Sequence, residues 1–445
     1  MKVKIIGAGL AGCEAAWQCA RRGLDVELYE MRPVKNTPAH QTDKFAELVC
    51  SNSLKSESEN TAPWLLKEEM RRAGSLLLQL AREAQVPAGH ALAVDREAFS
   101  AKVTEAISRE PRIRVVREEV TRIDEDDGIT VVATGPLTSD TLSLEIARLS
   151  GSEHLFFYDS ISPIVEADSI DMERVYMAAR YDKGTADYIN CPFSKEEYDR
   201  FYDALLTAES VENHDWEKLN YFEGCLPIEE IARRGRDTLR FGPMKPVGLI
   251  NPRTGKMPWA VVQLRQENLR ADSYNLVGFQ NHLKYAEQAR VLRLIPGLEN
   301  AKILRYGQIH RNTYIHAPAL LTEALHMKRH DRVFFAGQIS GVEGYTESIA
   351  MGQLVGIHVA GRVLGLPAAP PPRETALGSL VRYICHAEAK NFQPANITFD
   401  LLPQLDENTR RRVRDKKLRH KMVCDQALAA CEVWLQGISS AVPAS

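Results

Sequence analysis

The chain has 445 residues, room for about two or three domains with sizeable cores. Hydrophobic residues make up 44% and charged residues 26%, with 56 Lys+Arg against 59 Asp+Glu, a balance that excludes collagen-like, mostly disordered and disulfide-framework classes. A net charge of −3 leaves any nucleic-acid contact to local basic clusters.

Lys2 to Ile6 reads as a short apolar strand, GAGLAG at Gly7 to Gly12 as a tight turn, and Cys13 to Arg22 as an Ala-rich helix that Gly23 stops. Leu24 to Tyr29 is a second strand ending in Glu30. Strand, turn, helix and strand, with an acid about 20 positions after the glycines, is the βαβ dinucleotide fingerprint. Gly7 permits the turn, Gly9 lets the backbone approach a pyrophosphate and Gly12 lets the helix pack closely. With Ala8, Leu10 and Ala11 they make a cofactor-binding turn at a helix N-terminus. Glu30 is expected to accept from an adenosine ribose. The alternative is a Gly-rich turn without a ligand.

Further along, TVVATG at Thr130 and RVFFAGQISG at Arg332 are apolar strands running into Gly turns, and Glu347 to Leu364 supplies a helix after the second. Both resemble elements of glutathione-reductase-like flavoproteins, with Gly337 and Gln338 at the flavin turn, so FAD is expected rather than NAD alone. The expected fold class is α/β: a Rossmann-like FAD-binding domain of the glutathione-reductase type at 1–184 and 321–445, with an inserted α+β domain at 185–320. The insertion carries a helix at Lys195 to Ala208, an irregular segment around Cys225, and strands at Trp259 to Leu264 and Tyr274 to Phe279. A proline run at 370–372 leads to a helical, basic tail.

No run approaches the roughly 18 to 20 apolar residues of a membrane span, and the chain opens on KVKII rather than a signal-peptide pattern, so a cytoplasmic location is expected. The eight cysteines (13, 19, 50, 191, 225, 385, 424 and 431) form no C-x-x-C pair and no zinc-type spacing, so no metal centre is expected.

Ten segments in order carry a more specific resemblance. They are GAGLAGCEAAWQ from Gly7, AELVCSNSLKS from Ala46, ATGPLTS from Ala133, YINCPFSKEEY from Tyr188 and YFEGCLPIEE from Tyr221. After these come RFGPMKPVGL from Arg240, YNLVGFQNHLKYAEQ from Tyr274, HRNTYI from His310, FFAGQISGVEGYTES from Phe334 and NFQPANITF from Asn391. Together they resemble TrmFO, the folate- and FAD-dependent tRNA (uracil-5)-methyltransferases, relatives of the flavoprotein MnmG. The chain departs from that pattern at Asn281, where Thr is expected, and at Ile349 to Met351. The resemblance implies C5-methylation of the T-loop uridine of tRNA, with methylenetetrahydrofolate as one-carbon donor, FAD as cofactor and NAD(P)H as reductant. A small-molecule flavin oxidoreductase and a non-catalytic RNA-binding flavoprotein are the competing readings.

C5 of uracil becomes nucleophilic only when a nucleophile adds at C6, and the C5 proton must then leave, so a thiolate and a base are required. Cys50 sits among small polar residues with Lys55 nearby, surroundings that favour a thiolate, and Cys225 lies in a loop with Glu229 and Glu230 close behind. A lone cysteine is more often packing than catalysis. The resemblance makes both catalytic candidates, one to attack C6 and the other to assist, with the roles unassigned. Tyr345, after the flavin turn and flanked by Glu343 and Glu347, is the candidate ring beside the flavin, or else a helix-start tyrosine with its hydroxyl in water. His282 and His310–Arg311–Asn312 are candidates for folate or uracil, or structural residues. The run Arg410, Arg411, Arg412, Arg414, Lys416, Lys417, Arg419 and Lys421 reads as a surface helix for tRNA phosphates, Arg411, Arg412 and Arg414 foremost, or as a solvated face. Arg233, Arg234, Arg236, Arg240 and Lys245 are placed to hold the T-arm backbone.

Overall fold

The structure is a computed structural model that describes residues 1–445 except 38, 126, 152–154, 212–225, 367–368 and 440–445; of 155–160, 309–311 and 391 it describes the backbone only. β1 (Val3–Ile6), α1 (Leu10–Ala20) and β2 (Val26–Glu30) form the expected strand–helix–strand unit. α2 (Ala62–Arg72) and α3 (Arg96–Arg109) follow, started by Thr61 and Asp95, whose side chains accept from the N–H groups of Trp64 and Ala98. β3 (Ile113–Arg117) and β4 (Ile129–Val132) complete the first run.

The chain then leaves through β5 (Leu155–Ser160) and builds a second unit. Its elements are β6 (Ile164–Glu166), β7 (Tyr176–Met177), β8 (Tyr188–Phe193), α4 (Lys195–Leu206), α5 (Ile228–Arg233), β9 (Ala260–Gln266), β10 (Ser273–Leu276) and β11 (Ile303–Arg305). It returns through β12 (Ile309–Tyr314), which pairs antiparallel with β5. β13 (Val333–Phe335), α6 (Tyr345–Val363), α7 (Ala376–His386), α8 (Glu407–Arg412) and α9 (Lys416–Ser439) complete the described chain.

The first unit is a parallel sheet in the order β13-β4-β1-β2-β3, with Val3 opposite Val26 on one side and Ile129 on the other. The late strand β13 therefore lies beside β4, as a domain made from both ends of the chain requires. Strands of a parallel sheet covered on both faces read as continuous apolar runs, and Val131, Val132 and Phe334 are buried accordingly. α6 packs on α1 at backbone distance: a Cβ at Gly352 would stand 2.3 Å from the carbonyl oxygen of Ala11. Glu69 of α2 is fully buried and accepts from the N–H groups of Ala376 (2.8 Å) and Leu377 (2.9 Å) at the start of α7. Burial pushes its carboxyl up to about 8.

The second sheet is antiparallel, in the order β7-β8-β9-β10-β6-β11. β6 and β7 precede residue 185, so the insertion expected at 185–320 starts too late: the crossing is the β5–β12 ribbon, and a boundary at 185 would cut two strands from the sheet. Strands of three and two residues are too short for an alternating pattern to register. The helix expected at Lys195 to Ala208 is α4, held by a capping box between Ser194 and Glu197.

Candidate active site

β1 runs into Gly7, whose φ of +100° turns the chain towards α1. A Cβ at Gly7 would meet the Ala133 carbonyl oxygen at 2.7 Å, and one at Gly12 the Gly7 carbonyl oxygen at 1.8 Å. Gly9 differs, because its Cβ position meets nothing within 4 Å and faces open space. The Cys13 N–H donates to the Gly9 carbonyl at 3.0 Å, so the N–H groups of Leu10, Ala11 and Gly12 have no partner within the helix. Gly9, Leu10 and Ala11 line a cavity of about 350 Å³, with Gly337 and Gln338 on its wall. A helix N-terminus opening on such a space is an anion site.

A smaller cavity of about 70 Å³ shares Gly9, His40, Ala133, Thr134 and Leu137 with the first and ends at Glu30. Glu30 Oε2 accepts from the Ala8 N–H (3.0 Å), and Oε1 accepts from the backbone N–H (3.1 Å) and Nε (3.0 Å) of Arg32. Burial pushes this carboxyl up, but Arg32 and the hydrogen bonds outweigh it and hold Glu30 below the usual carboxylate range. It is a fixed, ionised acceptor at the far end of the linked cavities.

Cys50 lines the larger cavity together with Ser51, Ser53 and Lys55. Tyr345, also on its wall, accepts at its hydroxyl from the Cys50 N–H (2.7 Å) and the Ser51 N–H (3.1 Å), so that hydroxyl is bonded to protein rather than left in water. Burial pushes its phenol well above the ordinary range, which keeps it neutral. Lys55 Nζ is held by Glu347 Oε1 (2.6 Å) and Asn396 Oδ1 (2.7 Å), so its charge is offset by Glu347 rather than directed at Cys50, contrary to the expectation from sequence. Gln338 donates to Glu343 Oε2 at 2.7 Å on the same wall.

Two residues of the second unit reach this cavity, Gln280 and Asn312. His282 is half-buried behind it: its backbone N–H donates to Glu229 Oε1 at 2.7 Å, and its ring is not on the cavity wall. Burial lowers the His282 imidazole and raises the Glu229 carboxyl to about 7. Asn281 is buried and turns the chain, donating to the Phe279 carbonyl (3.2 Å) and accepting from the Leu283 N–H (3.3 Å). Cys225 and the side chains of His310 and Arg311 lie outside the described residues. Cys13, Cys19, Cys191, Cys385, Cys424 and Cys431 are buried.

The basic run forms two helices rather than one, because α8 ends at Arg412 and α9 begins at Lys416. Arg411 pairs with Glu407. Arg410, Arg412 and Arg414 are exposed and have no acidic partner among the described residues. The arginines after Cys225 are tied into the second unit instead: Arg236 bridges Asp199 (2.6 Å) and Asp203 (2.5 Å), and Arg240 stacks on Trp259 at 3.7 Å and pairs with Asp237. Arg233 pairs with Glu230. Their charges are compensated locally, which removes the free cations expected for the T-arm.

Among the described residues no helix is long and apolar enough to cross a membrane, and no three His, Cys, Asp or Glu side chains are grouped to hold a metal ion.

Residues 2–367 match the family described as glucose inhibited division protein A. A methylenetetrahydrofolate–tRNA-(uracil-5-)-methyltransferase TrmFO of Koribacter versatilis is 78% identical over 435 residues, covering 98% of each chain. A protein of the same name from Solibacter usitatus is 64% identical over 441 residues, covering 98% of this chain and 99% of its own. Aquifex aeolicus GidA, in its form II crystal, has a similar fold at a TM-score of 0.70 with 16% identity, covering 99% of this chain and 75% of that one. The chain therefore belongs to the glucose inhibited division protein A family and, with the relatives at 78% and 64% identity, to its methylenetetrahydrofolate–tRNA-(uracil-5-)-methyltransferase TrmFO members.

Proposed function

We propose that this protein methylates C5 of the T-loop uridine in tRNA, taking the one-carbon unit from methylenetetrahydrofolate with bound FAD and NAD(P)H as reductant. The observation that carries the reading is that Cys50 lines the same cavity as the Gly9–Ala11 turn, so a thiol and a dinucleotide site open on one space. The residues fit FAD: open room over Gly9, free N–H groups at Leu10 and Ala11, and an ionised acceptor at Glu30. Gly7, Ala8, Gly12, Gly337 and Gln338 complete that cradle, with Tyr345 beside it. FAD supplies the redox chemistry that brings the one-carbon unit to the methyl level.

The chain's own residues supply the activation of uracil. A cysteine thiolate adds to C6, the C5=C6 π bond opens, and its electron pair makes C5 nucleophilic. C5 then bonds to the donated carbon, the C5 proton passes to a base, and the sulfur leaves C6 as the double bond reforms. Cys50 and Cys225 share these roles, the Tyr345 hydroxyl fixes the backbone that carries Cys50, and Asn312 and Gln280 face the substrates from the second unit. Arg411, Arg412 and Arg414 hold tRNA phosphates.

Incubation of the protein with tRNA lacking the T-loop methyl group, labelled methylenetetrahydrofolate and NAD(P)H tests the reading. Label at C5 of the T-loop uridine supports it. NAD(P)H oxidation without label in RNA points to a small-molecule oxidoreductase instead.

A further inference from the structure

The loop that carries Cys50 is held from the second unit by one row of side chains. Across the second sheet, Arg305 pairs with Ile164, Ile164 with Asn275, and Asn275 with Arg265, which places these residues on one face. That face meets the loop: Arg265 donates to Asn52 Oδ1 and to Ser51 Oγ, each at 2.9 Å, and Asn275 donates to Asn52 Oδ1 at 3.3 Å. From the first unit, Arg96 donates to the carbonyls of Leu48 (2.9 Å), Val49 (3.3 Å) and Cys50 (3.5 Å).

The charges on this face do not balance. Arg96 is paired with buried Glu267 at 2.7 Å, and Arg265 is satisfied by neutral partners. Arg305, at the edge strand, is half-buried, and its guanidinium has no hydrogen bond or ion pair among the described residues. Three guanidiniums thus face the Cys50–Asn52 loop against the one carboxylate of Glu267. Burial and the neighbouring Arg96 cation lower the Arg305 guanidinium, while Tyr345, Glu267 and Cys50 raise it, which places its charge in reach of the thiol. The remaining groups facing Cys50 across the cavity are the neutral Tyr345, His40, Glu47, Glu343 and Lys55. Glu47 is bound to Arg32, and Lys55 to Glu347.

We infer that Arg305 is a positioning residue for Cys50: delivered by the second sheet, its unpaired guanidinium stabilises negative charge on the Cys50 sulfur. The second unit then prepares the nucleophile as well as lining the substrate cavity. This rests on Cys50 acting as a thiolate in the proposed reaction, but its test needs neither RNA nor folate.

Alkylation of Cys50 by iodoacetamide, followed across pH by mass spectrometry of its peptide in the protein as purified, reads the thiolate directly. In the wild type the midpoint is expected below about 8.5, the ordinary cysteine value. Arg305→Gln is expected to move it up by about one pH unit, roughly a tenfold slower reaction below the midpoint, with flavin absorbance unchanged, and Arg305→Lys to restore most of the difference. An unchanged midpoint in Arg305→Gln, or the same shift with Gln and Lys, overturns the proposal. So does a wild-type midpoint at or above about 8.5, which decides the matter even if Arg305→Gln does not fold. A loss of tRNA affinity with unchanged alkylation also overturns it, and assigns the guanidinium to a substrate phosphate.

Discussion

The Tyr345 hydroxyl accepts from the backbone N–H of Cys50 at 2.7 Å, so the first residue of α6 fixes the chain that carries the cavity's thiol. Leaving buried N–H groups without a partner costs about 1–3 kcal/mol. Tyr345→Phe removes the acceptor and keeps the ring. It is expected to retain flavin, to speed amide hydrogen exchange at Cys50 and Ser51, and to lower methyl transfer. Unchanged exchange at both amides would show that the hydroxyl does not hold the loop.

Gly9 and Gly12 separate cofactor binding from folding. A side chain at Gly9 meets no protein atom within 4 Å and projects into the cavity, whereas one at Gly12 collides with the Gly7 carbonyl oxygen. Gly9→Leu is therefore expected to fold with native-like circular dichroism but purify without yellow colour, and Gly12→Leu to be lost to misfolding. Full flavin absorbance in folded Gly9→Leu would contradict the assignment of the turn.

Glu69 imposes a pH dependence whose sign follows from its burial. Its folded-state carboxyl, pushed up to about 8, keeps a proton that the unfolded chain releases near the model value of 4.5. Between those values the native state binds more protons, so this group lowers stability as pH rises, by up to about 1.4 kcal/mol per pH unit. Urea unfolding of Glu69→Gln from about pH 5 to 8 is expected to lack that slope. Equal slopes in variant and wild type would mean that Glu69 is ionised in the fold.

Charge reversal at Arg411, Arg412 and Arg414 is expected to weaken tRNA binding and to flatten its salt dependence by roughly one in log–log slope per lost phosphate contact. Flavin content should not change. An unchanged slope makes α8 a solvated face.

The nucleotide half of the site was legible because its signals are local. A strand, three glycines, a helix and an acid lie within thirty residues, and the periodicity of each element survives in sequence. The late strand Val333–Phe335 was legible for the same reason. β6 and β7 were not, being too short for alternation, and so the insertion boundary was misplaced. The surroundings of Cys50 were illegible in a different way. Arg96 and Glu267 are 171 positions apart and meet only because two sheets pack on one loop, while nearby Lys55, the cation that sequence suggested, is turned to Glu347. Arg236 and Arg240 looked like a basic patch because the acids and aromatic ring that hold them, Asp199, Asp203 and Trp259, come from other elements.

The central claim is that a cysteine of this protein activates the uracil ring for methylation, and a tRNA carrying 5-fluorouridine in the T-loop tests it most directly, because fluorine cannot leave as the proton does. With methylenetetrahydrofolate and NAD(P)H present, the wild type is predicted to form a stable covalent adduct with this RNA, seen as a shifted band on a denaturing gel. One of Cys50→Ala and Cys225→Ala, folded and carrying flavin, is predicted to form none, and both to lose most methyl transfer to ordinary tRNA. Adduct formation by both variants, or methyl transfer at the wild-type rate in both, would contradict the account.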